Sequence, residues 1–253
     1  MPFPENAQTP AGPGRPGPEG LDFAKAFRFF FEDPEWVRKA LLGGLFCLLG
    51  MFIVGAFFVA GYVMRMIRRV ARGEERPLPD WDDLGEMFGD GVRAAGVYLV
   101  YMLPLLLVPG FLVVAAALVF GGTARLAERS AEVADAMGAL LGLVVFGLYA
   151  LFMVAMLALS FYLPSALVRL ALLGRFGAAL EWRENVAFIR RNVGPYVLAL
   201  AFFLVANFIS QFGVLLCCVG VFPVTFWSLA VLAYGLGHVA RGDTELLREA
   251  QAG

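Results

Sequence analysis

The chain has 253 residues, 60% of them apolar and only 16% charged, against roughly 25% charged in a soluble domain. That balance excludes an ordinary soluble protein, a disordered chain and a disulfide-stapled secreted module, and points to a polytopic membrane protein. A net charge of −1 lacks the basic excess that a nucleic-acid binder needs.

Residues 1–20 hold six prolines and four glycines without hydrophobic periodicity, the composition of a disordered tail. Residues 21–253 read as one membrane domain. No signal peptide is expected, because the first apolar run begins only at Ala40 and is too long for such a segment. The stretch Phe23–Phe31 carries five phenylalanines with Lys25 and Arg28, which suits a helix lying in the headgroup layer.

Four windows carry no Asp, Glu, Lys or Arg: Ala40–Met64, Ala94–Ala124, Ala136–Val168 and Asn192–Ala240. A spanning helix needs about 20 apolar residues. By length the first three windows are one span each and the last holds two, a total of five. Charge disagrees. Loop positives collect on the cytoplasmic side, and five spans would divide the 20 Lys and Arg only 13 to 7. If the first window is instead a short hairpin turning at Gly50, with legs 36–49 and 51–67, the division becomes 18 to 2. We therefore expect a hairpin, although legs of ~21–26 Å fall short of the bilayer core. Weak internal symmetry agrees. Val70-Ala71-Arg72-Gly73-Glu74 closes the first apolar block, and Val239-Ala240-Arg241-Gly242-Asp243 closes the last.

Arg65, Arg68, Arg69 and Arg72 fall on one face of a helix leaving the membrane. They can bind anionic lipid headgroups at roughly 1 kcal/mol per charge, though topology alone already demands such a cluster. Asp80, Asp82, Asp83, Glu86 and Asp90 follow. Acids beside Pro79 suit a helix start, and the spacing fails as a calcium loop. Pairing between this acidic run and the basic one before it can order the loop without any ligand. Trp81, Leu84 and Phe88 form an apolar stripe ahead of the third span, with Trp81 as an interfacial anchor.

Pro104 and Pro109 are expected to kink the third span, and Pro164 the end of the fourth. Gly138-x-x-x-Gly142, and Ala56-x-x-x-Ala60 followed by Gly61, suggest helix contacts. Ala179, Trp182, Val186, Ile189 and Val193 make one apolar helical face, suited either to the interface or to packing on the bundle rim. Asn207, Ser210 and Gln211 form a polar stripe inside a span, for helix–helix hydrogen bonding or a polar pathway. His238 is the single histidine, so no His-based zinc site or His-paired catalytic system follows. Cys47, Cys217 and Cys218 read as buried apolar residues.

Several strings together carry a family likeness: Phe31-Glu32-Asp33-Pro34-Glu35-Trp36, Gly61-Tyr62, Arg72-Gly73-Glu74-Glu75, Leu78-Pro79-Asp80-Trp81-Asp82-Asp83, Phe88-Gly89-Asp90-Gly91 and Tyr101-Met102-Leu103-Pro104. Over about residues 21–104 the chain resembles the prokaryotic multi-pass membrane family known as domain of unknown function 4013. The resemblance implies a bacterial or archaeal membrane protein and supplies no activity, substrate or catalytic residue.

The expected fold is all-α, a transmembrane bundle of about six hydrophobic helices at 36–49, 51–67, 94–121, 137–163, 195–212 and 215–239, with amphipathic interfacial helices. Both termini are expected on the cytoplasmic side of the cell membrane. The expected role is a non-enzymatic membrane protein whose basic and aromatic rim engages anionic lipid or a partner protein. The alternatives are a permease or channel for a small solute and, third, a membrane-embedded lipid-modifying enzyme. No catalytic, metal or cofactor site is expected, and no nucleic-acid partner. Charge-free windows lower the expectation of ion-coupled transport, which commonly uses ionisable groups at membrane depth.

Overall fold

The computed structural model describes residues 23–127, 131–215 and 220–252, and every regular element within them is helical. The tail at 1–20 and the cysteines 217 and 218 lie outside the described residues. In chain order the helices are α1 (Phe23–Arg28), α2 (Trp36–Leu49), α3 (Val54–Arg72), α4 (Leu84–Ala127), α5 (Ala131–Leu173), α6 (Phe176–Leu180), α7 (Trp182–Arg191), α8 (Val193–Gln211), α9 (Val221–Gly242) and α10 (Thr244–Ala252).

The first apolar block does turn back at Gly50. A 3-10 turn occupies Gly50–Phe52, and Ile53 closes it at φ 69, with its amide donating to the Gly50 carbonyl at 2.9 Å. A β-branched residue with positive φ is a strained link, so this break belongs to the fold. Met51, Phe52 and Ile53 at the tip are 73%, 75% and 69% exposed, an apolar point with no protein over it.

The legs of this hairpin are short. α2 has 14 residues, ~21 Å, and the apolar part of α3, Val54–Met64, reaches ~17 Å against a hydrocarbon core of about 30 Å. Among the described residues, four other helical stretches are long and apolar enough to cross a membrane: Leu84–Ala115, Gly138–Leu173, Val193–Gln211 and Val221–Gly242.

α4 and α5 exceed their expected bounds because the amphipathic lead-ins and the spans are single helices. α4 starts at Leu84 and passes through Pro104 and Pro109, and α5 continues through Pro164 to Leu173. A proline removes one backbone donor from an interior turn, which both helices absorb without ending.

The core gathers at one end, around α3 and α9. Tyr62, Met66 and Ile67 of α3 are wholly buried, as are Phe226, Val231 and Ala233 of α9. Where α3 crosses α4, Gly61 and Gly91 let the backbones touch. A Cβ on Gly61 would stand 1.8 Å from the Met87 carbonyl oxygen, and one on Gly91 equally close to that of Phe57. Of the small residues expected at helix contacts, Gly61 is thus at one, whereas Gly138 and Gly142 have nothing near their Cβ positions. Among the described residues, α4 beyond Val97 and α5 before Leu163 place none in the core.

The two closing motifs meet side by side, since Val70 packs on Gly237 and Gly73 faces the Arg241 guanidinium. Their backbones differ. Gly73 ends α3 in the left-handed region at φ 76, while Asp243 ends α9 extended at φ −89 and ψ 96.

Candidate functional site at the charged rim

The charged residues concentrate at the end of the bundle where α3 and α9 finish and where α4 begins. The acidic run folds back onto the basic one. Arg65 fans out to Glu86 at 2.7 Å, Asp82 at 3.4 Å and Asp83 at 3.6 Å. Arg68 pairs with the buried Asp90, which Arg93 also reaches at 3.3 Å. Arg69 donates to the Leu78 carbonyl at 3.2 Å and lies 3.5 Å from Glu74. Arg72 approaches Glu74 only at 4.0 Å, with its side chain 70% exposed. The local pairing that the sequence permits is therefore present, and it occupies Arg65, Arg68 and Arg69.

Lys39 supplies a second junction that the sequence does not announce. Its ammonium is buried and bonds Asp33 at 2.8 Å, Asp80 at 3.0 Å and the Leu78 carbonyl at 3.2 Å. Three acceptors around one –NH₃⁺ satisfy all its donors. The start of α2 is thereby tied to the loop before α4. The hydrogen bond from Lys39 holds the Asp80 carboxyl below the usual carboxylate range, against a smaller upward push from desolvation. At Asp83 the Glu86 amide, at 3.0 Å, does the same.

Among the described residues, Arg169 is the largest fully buried side chain. It bonds Glu181 at 2.7 Å, Glu249 at 2.9 Å and the Ala178 carbonyl at 3.3 Å, joining α5 to α6 and to the C-terminal α10. Sequence reading treats it as one more loop positive, because its partners lie 12 and 80 residues away. Asp243 makes the adjoining joint. One carboxylate oxygen accepts the Glu245 and Leu246 amides at the start of α10, and the other accepts from Arg191 and Asn192. Burial pushes this carboxyl up, but the Leu246 amide, Asn192 and Arg191 outweigh it and hold it low.

The aromatic residues of the rim correct three expectations. Trp81 is no interfacial anchor: its ring is stacked between Tyr62 at 4.6 Å and Phe46 at 4.7 Å. Of the N-terminal phenylalanines, Phe29 and Phe30 turn inward, with Phe30 1% exposed and Phe29 stacked on Tyr234 at 4.3 Å, whereas Phe31 stays 51% exposed. In α7 the buried face centres on Asn185 and Phe188, one step round from the predicted stripe. Trp182 points outward, 61% exposed, under the Arg183 guanidinium at 5.5 Å. Packing against α5 and α8 selects Phe188, while of the predicted stripe Ala179 is wholly buried and Val186 and Ile189 are half-buried.

The polar stripe of α8 does not form one continuous contact. Ser210 is buried and donates to the Asn207 main-chain carbonyl at 2.6 Å, within its own helix. Asn207 is half-buried and Gln211 exposed. His238 lines a rim cavity of about 360 Å³ whose walls include Lys25, Glu32, Glu74, Arg76 and Arg241. Among the described residues, no three His, Cys, Asp or Glu side chains gather as a metal site.

The family model described as "Protein of unknown function (DUF4013)" matches residues 44–219. Nothing among the curated proteins or the solved structures matches the chain.

Proposed function

The chain belongs to the DUF4013 family of proteins of unknown function; from that premise, which supplies no activity, we propose that it is a non-catalytic multi-pass membrane protein whose cytoplasmic rim engages anionic lipid. Both termini lie on the cytoplasmic side in this reading, which keeps the 18-to-2 division of basic residues. The α2–α3 hairpin enters and leaves the membrane from that same side, since its legs are too short to cross. A cysteine replacing Phe52 should then react with a membrane-permeant thiol reagent but not with an impermeant one added from outside.

The observation that carries the lipid reading is the division among the rim cations. Arg65, Arg68 and Arg69 are occupied by carboxylates or a carbonyl. Arg72 remains exposed, and Arg183 stands over the exposed Trp182. Headgroup contact is thus assigned to Arg72 and the Trp182–Arg183 pair, while Arg65, Arg68 and Arg69 brace the loop. A cation beside an outward indole suits the headgroup layer, where the ring sits at the interface and the charge meets phosphate.

Lipid co-purifying with the full chain from mixed phosphatidylglycerol and phosphatidylcholine membranes tests this. The native chain should retain phosphatidylglycerol preferentially, and Arg72→Gln with Arg183→Gln should lower that preference by about fivefold per charge, the equivalent of roughly 1 kcal/mol each. Equal retention of both lipids by the native chain would refute lipid engagement. Loss of preference in Arg68→Gln alone would refute the division of labour.

A further inference from the structure

Between α4 and α5 a cavity of about 840 Å³ opens toward the surroundings of the bundle. Its walls are apolar, among them Leu105, Leu112, Leu151, Phe152 and Ala155, and at one end stand Tyr101 and Tyr162. This size lies within the ~300–1,000 Å³ of small-molecule sites. The tyrosine end is not apolar, and its hydrogen bonds can be counted completely.

Tyr101 donates its phenolic proton to the Ala179 carbonyl at 3.0 Å. The 2.8 Å bond between the two phenols must then use the proton of Tyr162, because Tyr101 has no second one. Asn185 of α7, wholly buried, gives one amide proton to the Tyr162 oxygen at 2.7 Å and the other to the Ala179 carbonyl at 2.8 Å. Every donor of this cluster is used. What remains is acceptor capacity: a lone pair on each phenol and the buried Asn185 Oδ1, which has no partner. Both phenols line the cavity whereas Asn185 does not, so the acceptor capacity open to a ligand is that of the two tyrosine oxygens. No charged residue lines the cavity, so a cationic or anionic head would be buried without a counter-charge.

We propose that this cavity binds a neutral lipid alcohol, its apolar body between α4 and α5 and its free hydroxyl donating to the phenol oxygens of Tyr101 and Tyr162. Three observations converge on that occupant: an apolar body of ligand size, an acceptor-only end, and the absence of charge. The inference rests on the membrane reading but not on the anionic-lipid one.

The probe is a diazirine-bearing diacylglycerol, compared with its O-methyl ether, in phosphatidylcholine nanodiscs containing the full chain. These hold no anionic lipid, so failure here is separate from failure of the rim assignment. The free alcohol should label α4 and α5 about three- to tenfold more than the ether, the value of one hydrogen bond. Ala155→Phe should abolish the labelling by filling the groove. Replacing both phenols, Tyr101→Phe with Tyr162→Phe, removes the acceptors that line the cavity, so the preference for alcohol over ether should fall toward unity. Equal labelling by alcohol and ether in the native chain, labelling elsewhere in the chain, or labelling undiminished by a folded Ala155→Phe variant would overturn the proposal.

Discussion

The rim and the outer parts of α4 and α5 are built on opposite plans from one chain. At the rim, charges are buried and answered: Lys39 by two carboxylates and a carbonyl, Arg169 by two glutamates and a carbonyl. In the outer hairpin the helices are apolar all round, and side chains such as Phe111, Leu118, Leu143 and Phe146 are 68–73% exposed. A helix apolar on every face draws no hydrophobic gain from pairing in lipid, so fixed geometry must come from elsewhere. The rim supplies it, through close backbone contact at Gly61 and Gly91 and through ion pairs that are directional. The difference teaches that this protein's shape is determined at its polar end, while its apolar end is free to meet lipid.

The largest expected effect follows from breaking the rim at Arg169. Arg169→Ala takes the shared cation from Glu181 and Glu249, whose carboxylates are partly exposed, and empties the site of a large buried side chain, and a large-to-small change at a buried site costs about 2–5 kcal/mol. Thermal unfolding in detergent should show that loss, together with faster proteolysis of α10. An unchanged melt would show that the rim does not hold the bundle. Next comes Gly61→Ala, whose new Cβ would meet the Met87 carbonyl and force α3 from α4. Overpacking of this kind costs about 1–3 kcal/mol, and a melting point equal to that of the native chain would contradict the close crossing.

A smaller effect is expected from acid. Asp243 is held below its ordinary value of 3.8, and a carboxyl depressed in the folded state adds stability above its unfolded pKa. That contribution is lost as pH falls from the ordinary value through the lower folded one. Detergent melts of the native chain should therefore drop more steeply below about pH 4 than those of Asp243→Asn, which keeps a side-chain oxygen for capping. Parallel curves would remove Asp243 from the account. The smallest effect is predicted for the other half of the comparison. Phe146→Leu, on an outward face, should change stability by under about 0.5 kcal/mol, and a large loss would reveal a contact the isolated chain does not make.

Much of the fold was legible along the chain. α2 ends at Leu49 and the turn falls at Gly50, where the expected hairpin places them. The pairing of basic and acidic runs was legible too, since both belong to one short segment. The roles of individual aromatics were not. Trp81 and Trp182 have similar surroundings in sequence, yet one is stacked inside the rim and the other faces out. Which side a ring takes depends on α3 and α2 arriving beside it, and no local pattern encodes that arrival.

By itself, then, the sequence determined that this is a helical chain apolar enough for a membrane, where its charge-free stretches lie, and that its basic and acidic runs pair. Those properties follow from transfer energies and charge placement, which sum residue by residue. Only the tertiary structure decided which cations are answered by carboxylates and which face outward, why Arg169 and Lys39 are buried, and that Tyr101, Tyr162 and Asn185 form one cluster. Each of those outcomes depends on distance between groups far apart in the chain, and hydrogen bonds and ion pairs act over a few ångströms in space, whatever the separation in sequence.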